Sequence, residues 1–105
     1  MAVRGFHAHI YFDPVQIDQA RELAGAAQTA LGCPVGHFHT APIGPHPRGS
    51  VQLSLGPEQF ARFALWAPEA RKELTIFTHG LSGDDLADHT RYVVWFGQSE
   101  PLDLR

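Results

Sequence analysis

The sequence predicts an α+β protein with a ferredoxin-like fold: a βαββαβ order, an antiparallel sheet, and two helices on one face of it. Four segments show apolar side chains at every second position, which is the period of a strand with one buried face. Two longer segments show apolar side chains three and four residues apart, as in an amphipathic helix. These segments follow one another in the order of the split βαβ plan, which places both helices on the same face.

The first predicted strand and helix follow each other directly. Residues 6–12 alternate strictly and contain aromatic and β-branched side chains, which indicates a half-buried strand. Asp13 and Pro14 favour the start of a helix, because Asp caps helices and Pro is tolerated in the first turn. Apolar residues then recur at helical spacing over residues 15–31, and Gly32 favours an end there.

A proline-rich loop separates the second and third predicted strands. Residues 35–40 are short enough for a strand that carries His37 and His39 on one face. In residues 41–49, Pro and Gly supply five of nine positions, which excludes a central strand or a helix interior and indicates a stiff loop. Residues 50–55 alternate again and form the third predicted strand.

The remaining elements are a second helix and a fourth strand, with two short additions. Pro57 favours the first turn of a helix over residues 57–67. Residues 74–79 alternate as a fourth strand. We expect a short helix over residues 84–92 and a fifth, short strand over residues 93–96.

Composition and charge exclude several classes of function. The 105 residues fit a single domain over residues 1–105, and 44% hydrophobic with 18% charged residues argues against disorder. A formal net charge of −3 gives none of the basic surface that nucleic-acid binding needs. No apolar stretch approaches the roughly 20 residues of a membrane span, and no signal peptide is recognisable. Cys33 is the one cysteine and cannot form an internal disulfide, so we expect a cytoplasmic protein. From the charge and the hydropathy we expect neither nucleic-acid nor membrane partners.

Seven histidines are the unusual feature of this composition. If the apolar row of each strand faces the helices, the opposite rows carry imidazole, hydroxyl, amide and aromatic groups. Those rows comprise His7, His9, Tyr11, His37, His39, Gln52, Ser54, Thr75, Phe77 and His79. Side chains two apart on a strand point the same way, so the imidazoles converge on one face. Neutral imidazole is the commonest metal ligand, and a cluster of three or more imidazoles suits Zn, Fe, Ni or Cu. We therefore favour a metal site over the alternative, histidines that only pack or lie on the surface.

Two histidines outside the strands need separate interpretation. His46 lies between Pro45 and Pro47, which restrict its backbone, so it is either a preorganised ligand or part of a turn that ends a strand. Its loop leaves the sheet at the end opposite His79, and must fold back over the open face or come from a second subunit. His89 follows acidic residues that either orient imidazoles or form the solvated face of a helix. Because an uncovered sheet face is a natural dimer surface, we expect a homodimer.

Four stretches in combination resemble the DOPA 4,5-dioxygenase family of small extradiol dioxygenases. They are residues 7–12 (HAHIYF), 42–47 (PIGPHP), 78–85 (THGLSGDD) and 88–97, which contains DHT and WFG. The resemblance covers about residues 6–104, and only the combination of motifs is specific. Gly80 departs from the family pattern, in which a proline follows the strand histidine.

The resemblance implies an enzyme that opens a catechol ring, such as that of DOPA, beside one hydroxyl, using molecular oxygen and non-haem Fe²⁺. Zn²⁺ or another divalent metal is an expected substitute in a purified sample. The positions that match the family are His7, His9, Tyr11, His39, His46, His79 and His89. The mechanism that would follow is a hypothesis: His9, His46 and His79 bind the metal, and His7 or His89 acts as general base and later as acid. Tyr11 and Phe77 pack the substrate ring, and His39 is a further substrate-binding residue.

Two other classes of function stay open from the sequence. The first is a metal-binding or metal-sensing module without turnover. The second is a structural or small-ligand-binding dimer in which the histidines form a polar interface. Oxygen uptake with catechols distinguishes the enzyme from the first, and metal binding distinguishes it from the second.

Overall fold

The computed structural model describes residues 2–105. The helices and strands in that range are β1 (Phe6–Phe12), α1 (Ile17–Leu31), β2 (Gly49–Leu55), α2 (Pro57–Ala70), β3 (Thr75–Gly80), α3 (Asp85–Asp88) and β4 (Val93–Phe96). A 3₁₀ turn over Pro14–Gln16 connects β1 to α1.

The four strands form one antiparallel sheet in the order β2-β1-β3-β4. β1 is central, so that Ala8 lies opposite Leu53 of β2 and Thr78 of β3. α1 and α2 pack against the face that carries the apolar rows, and together they enclose the hydrophobic core. The ferredoxin-like α+β prediction is confirmed, and β4 is the predicted fifth strand at the free edge of β3.

The second predicted strand, residues 35–40, is not a regular strand. It follows the edge of β2 and pairs with it only through isolated bridges, at Val35 with Leu53 and at His39 with Ser50. The change of register supplies the physical reason. Val35 pairs with Leu53 but His39 pairs with Ser50, so this segment has one more residue between the two bridges than β2 has, as in a β-bulge. The segment therefore occupies the place of the missing strand without forming a continuous ladder.

The helix boundaries differ from the prediction in three places. The turn at Pro14–Gln16 is 3₁₀, and α1 begins only at Ile17; it ends as predicted, with Gly32 in the left-handed region at φ 70°. α2 continues through Pro68 to Ala70, because a proline near the end of a helix disrupts only its last turn. α3 covers only Asp85–Asp88, since the chain then turns so that Val93 can pair with His79.

The core lies between the sheet and the two long helices. Its fully buried side chains include Ile10 and Phe12 from β1, Leu53 from β2, Phe63 from α2 and Ile76 from β3. Across the described residues, 2–105, none of the helices has the length and apolar character to cross a membrane.

Candidate metal centre

The face of the sheet turned away from the helices carries the histidines of β1 and β3. His7 and His79 are direct partners across the two strands, and His9 lies opposite Phe77. Because side chains alternate along each strand, all four project to this same face. Strand register thus brings together residues that lie about seventy positions apart in the sequence.

Three imidazoles lie close enough to share one metal ion. One ring nitrogen from each of His7, His9 and His79 lies within 4.8 Å of the other two, and the Nε2 atoms of His9 and His79 are 3.2 Å apart. Among the residues that the structure describes, this is the one group of its kind, and it contains no carboxylate. The donor set therefore differs from the two-histidine, one-carboxylate triad of many non-haem iron enzymes.

The proline-rich loop folds back over this face within the same chain. The His46 ring lies 4.1 Å from that of His9, between ring centroids, and the hydroxyl of Tyr11 and the Nδ1 of His46 are 2.8 Å apart. The predicted alternative, a loop supplied by a second subunit, is not needed to bring His46 to the cluster.

The loop also changes the expectation of an open face. Tyr11 and Phe77 are fully buried, and His9, His79 and His46 are only 5%, 4% and 8% exposed. The expectation of an uncovered sheet face is therefore wrong, because the chain covers that face itself. The homodimer was predicted because that face was expected to be uncovered. It stays a prediction, but the covered face no longer supports it.

His89 completes the cluster from the segment after α3. Its ring lies 4.2 Å from the ring of His79, between centroids, and its Nδ1 donates to the backbone carbonyl of Asp85 at 2.7 Å. His79 Nδ1 likewise donates to the carbonyl of Gly80 at 2.9 Å. A carbonyl oxygen only accepts, so both histidines carry their proton on Nδ1 and present the Nε2 lone pair.

Burial keeps the clustered imidazoles neutral. Desolvation, followed by repulsion from His46 and His79, lowers the pKa of His9 to about 2. Desolvation and the neighbouring histidines lower the pKa of His46 to about 4. Burial also lowers the pKa values of His7 and His79. Neutral imidazoles have the free lone pair that a metal requires, so the set fits a divalent first-row ion such as iron.

The hydroxyl of Tyr11 stays protonated in this setting. Desolvation, and then the nearby Glu100 carboxylate, raise the pKa of Tyr11 well above its ordinary value. Tyr11 is therefore a neutral hydrogen-bonding partner that fixes the orientation of the His46 ring.

The acidic residues near His89 do not orient imidazoles through their carboxylates. Asp88 is 3% exposed, and its carboxylate accepts hydrogen bonds from the Ser82 backbone N–H and, at 2.6 Å, from the Ser82 hydroxyl. Burial opposes ionisation of Asp88, but these hydrogen bonds outweigh it and lower its pKa. Asp88 thus holds the turn after β3, and it is the backbone of Asp85, not its side chain, that positions His89.

His39 and His37 lie beside the cluster rather than in it. Their rings contact each other, with centroids 4.8 Å apart. They line a cavity of about 330 Å³ whose wall also includes His9 and His46. This volume is in the range of small-molecule sites, so His39 lies where a ligand that reaches the cluster would pass.

The sequence did not indicate a role at the site for two residues, Trp95 and Arg48. The ring of Trp95 lies 4.6 Å from Phe77 and 6.1 Å from Tyr11, between centroids, and extends the aromatic wall. The alternation of β4 could have indicated this role, because Phe96 belongs to the core and its neighbour Trp95 must therefore lie on the histidine face. Arg48 binds acidic residues from two other segments. Nothing in the sequence pattern indicated those partners.

The fold and these imidazoles define an α+β protein with a candidate histidine metal centre buried under its own loop. The chain belongs to the DOPA 4,5-dioxygenase family, whose model matches residues 6–105. Family membership supports an enzyme.

Relatives with known sequences or structures agree with this assignment. The chain is 31% identical to the DOPA 4,5-dioxygenase of Amanita muscaria, with 97% of this chain and 49% of that protein covered. It is 34% identical to an uncharacterized 21.2 kDa protein of Botryotinia fuckeliana, with 97% and 63% covered. The chain thus spans less than two thirds of the length of these relatives. A crystal structure from Nostoc punctiforme, described as a candidate dioxygenase, matches with a TM-score of 0.84 and 34% identity over 98% of this chain and 90% of that chain.

Proposed function

We propose that this protein is an extradiol ring-opening dioxygenase that acts on a catechol such as DOPA with a non-haem divalent iron. The observation that carries the proposal is the convergence of His7, His9 and His79 within 4.8 Å, in a protein of the DOPA 4,5-dioxygenase family. A bound ferrous ion would supply activation of dioxygen and would favour the anionic form of the catechol hydroxyls.

His9 and His79 are ligands in either assignment of the metal site, and the third ligand is the point to decide. The resemblance implied His46, whereas the 4.8 Å group contains His7. The contact of the Tyr11 hydroxyl with the Nδ1 of His46 leaves the Nε2 of that ring free, so it does not decide between the two assignments. The 4.8 Å group favours His7 as the third ligand and assigns proton transfer to His46, which exchanges the roles of these two residues.

His89 and His46 flank the candidate metal ligands with groups suited to proton transfer. The Nε2 of His89 has a lone pair, because its Nδ1–H donates to the Asp85 carbonyl. It can accept a proton from a catechol hydroxyl and return it later. His46 contacts His9 from the other side and lines the cavity through which we propose that the substrate enters.

The aromatic side chains support the histidines from beneath. Phe77 and Tyr11 are fully buried, and Trp95 packs against both. Because Tyr11 and Phe77 have no exposed surface, they cannot contact a substrate with the loop in this position, and their role in the proposal is to hold the imidazoles in place. His39 lies on the cavity wall, where it would contact a catechol that enters beside His9 and His46.

The test is anaerobic reconstitution with Fe²⁺, followed by addition of oxygen and of DOPA, protocatechuate or unsubstituted catechol. We expect oxygen uptake together with a yellow ring-opened semialdehyde. Leu65→Ala is the control, because Leu65 is 88% exposed on α2, on the side of the sheet away from the histidines. Iron-loaded protein that consumes no oxygen with any of these catechols would rule the dioxygenase out and leave a metal-binding module.

A second measurement assigns the third ligand. Co²⁺ titrations of His7→Gln and His46→Gln report affinity through the visible absorption of the bound ion. If His7 is the ligand, His7→Gln loses the larger share of affinity. A larger loss in His46→Gln restores the assignment implied by the resemblance.

A further inference from the structure

The segment over residues 97–105 packs on the outer side of the loop that carries His46. The Asp103 N–H donates to the carbonyl of Pro45 at 2.9 Å. Arg48, at the end of the loop, donates to both carboxylate oxygens of Glu100, from Nε at 3.0 Å and from Nη2 at 2.8 Å. This paired geometry is the strongest form of a guanidinium–carboxylate contact.

Arg48 also reaches the strand beneath the loop. Its Nη1 lies 3.2 Å from the carboxylate of Asp13, directly after β1, and its Cζ lies 5.9 Å from the ring centroid of Tyr11. One guanidinium therefore connects the loop, the end of β1 and the segment that contains Glu100.

We propose that Arg48 and Glu100 are positioning residues for His46, and that their ion pair closes residues 97–105 over the loop and holds the imidazole against Tyr11 and His9. This inference rests on the proposed function, in which His46 serves the reaction, but its structural part is measurable without turnover.

The loop needs such support because its own backbone supplies little. Pro42, Pro45 and Pro47 have no N–H. In the part of the chain that the structure describes, backbone hydrogen bonds of residues 41–48 are limited to one internal turn, from the His46 N–H to the Ile43 carbonyl, and the bond from Asp103. Side-chain contacts must therefore determine where the loop lies.

The Arg48–Glu100 pair is better shielded than an ordinary surface pair. The two side chains are 27% and 22% exposed, compared with 92% and 48% for the Arg105–Asp103 pair in the same segment. Screening by solvent is weaker for partly buried charges, so the first pair can fix geometry that the second cannot.

The experiment compares Glu100→Gln and Arg48→Met with Arg105→Gln as the matched control. Arg105→Gln removes an ion pair of similar length, 2.9 Å, in the same segment. In the part of the chain that the structure describes, the two side chains of this pair bond to each other and not to the loop, which Asp103 contacts only through its backbone N–H. The ring nitrogen signals of His46, identified by their loss in His46→Gln, are followed by NMR in the metal-free protein. We expect these signals to shift in both test variants and to stay in place in the control.

Activity provides the second measurement. A displacement of a reacting group by about 1 Å can cost about 100-fold in rate, so we expect kcat to fall about tenfold in Glu100→Gln with a smaller change in KM. Glu100→Asp keeps the charge and should retain more activity than Glu100→Gln. Circular dichroism melts establish that each variant is folded, and Arg48→Lys replaces Arg48→Met if the latter does not fold.

The outcomes separate this inference from the proposed function. Unchanged His46 signals in Glu100→Gln and the folded Arg48 variant would overturn the positioning role, whatever the activity. Shifted signals in variants of a protein that never consumes oxygen would preserve the positioning role and remove the dioxygenase. Shifted signals with a tenfold loss of kcat support both.

Discussion

The two faces of the sheet are covered in different ways. On one face, α1 and α2 cover side chains such as Ile10 and Ile76 with regular, periodic structure. On the other face, a proline-rich loop and the segment after α3 cover His9 and His79 almost as completely. Both faces bury side chains, but one is apolar and specifies the fold, whereas the other is made of imidazoles and aromatic rings and leaves His7 and Trp95 partly exposed. Burial alone therefore does not distinguish a core from a site in this protein.

The largest expected effect on stability comes from the helix-covered face. Phe63 is fully buried and contacts the rings of Phe60, Trp66 and Phe96. Phe63→Ala should lower the free energy of unfolding by about 3–5 kcal/mol, because it removes apolar contacts and leaves a cavity. Urea denaturation measures this loss. Leu65→Ala in the same helix is the control, since Leu65 is 88% exposed and should change stability by less than about 0.5 kcal/mol.

A substitution on the histidine face should instead remove metal binding and leave the fold in place. Loss of a group that merely supports a ligand costs up to about 100-fold in affinity, so loss of a ligand should cost at least that much. We expect His79→Gln to lose at least about 100-fold in Co²⁺ affinity with an unchanged circular dichroism spectrum. An unfolded His79→Gln would show that this face, too, determines the fold, and the contrast between the faces would fail.

Acid should destabilise the metal-free protein through the histidine face. The folded pKa values of His9 and His46 are about 2 and about 4, below the ordinary 6.5, so the unfolded state binds more protons below pH 6.5. Stability should change little between pH 7.5 and 6.5, and below pH 6.5 it should fall as the pH decreases, by up to about 1.4 kcal/mol per pH unit for each histidine. Denaturant midpoints at pH 7.5, 6.0 and 5.0 measure the slope.

His9→Gln is the variant that tests the origin of this slope. It should have a shallower slope than the parent protein, because it removes the imidazole with the most strongly lowered pKa. Equal midpoints at pH 7.5 and 5.0 in the parent protein would show that these imidazoles are not held neutral.

The smallest predicted effect concerns a polar atom on the apolar face. Thr78 points to the helix side of β3, and its fully buried Oγ1 has no hydrogen-bond partner among residues 2–105, which the structure describes. Thr78→Val keeps the shape and removes the unsatisfied hydroxyl, so stability should rise by up to about 1 kcal/mol. Thr40→Val, at an exposed threonine, is the control. A loss of stability in Thr78→Val would indicate that the hydroxyl has a hydrogen-bonding role on the core face.

The sequence predicted the fold well because periodicity reports which side of an element is buried. Alternation gave β1, β2 and β3 to within one residue, and helical spacing gave α1 and α2. It failed at residues 35–40, where alternation is present but an extra residue between the two bridges to β2 interrupts the ladder. The predicted end of the second helix at residue 67 was also three residues early, because α2 continues through Pro68 to Ala70.

The candidate site was predicted in composition but not in arrangement. The histidines of β1 and β3 were placed on one face by alternation alone, and the structure brings them together. The path of the loop was left open, because no periodic pattern tells how a proline-rich segment folds. The ion pair of Arg48 with Glu100 could not be predicted for the same reason, because it joins irregular segments 52 positions apart.

By itself, the sequence determined which side chains share a strand face, since that follows from the two-residue repeat of a strand and needs no long-range information. Only the tertiary structure decided that His46 lies on His9, that Tyr11 holds it, and that the second face is covered by its own chain. Those contacts depend on the position of a loop that has almost no backbone hydrogen bonds of its own. Packing and charge interactions between segments distant in the chain determine that position.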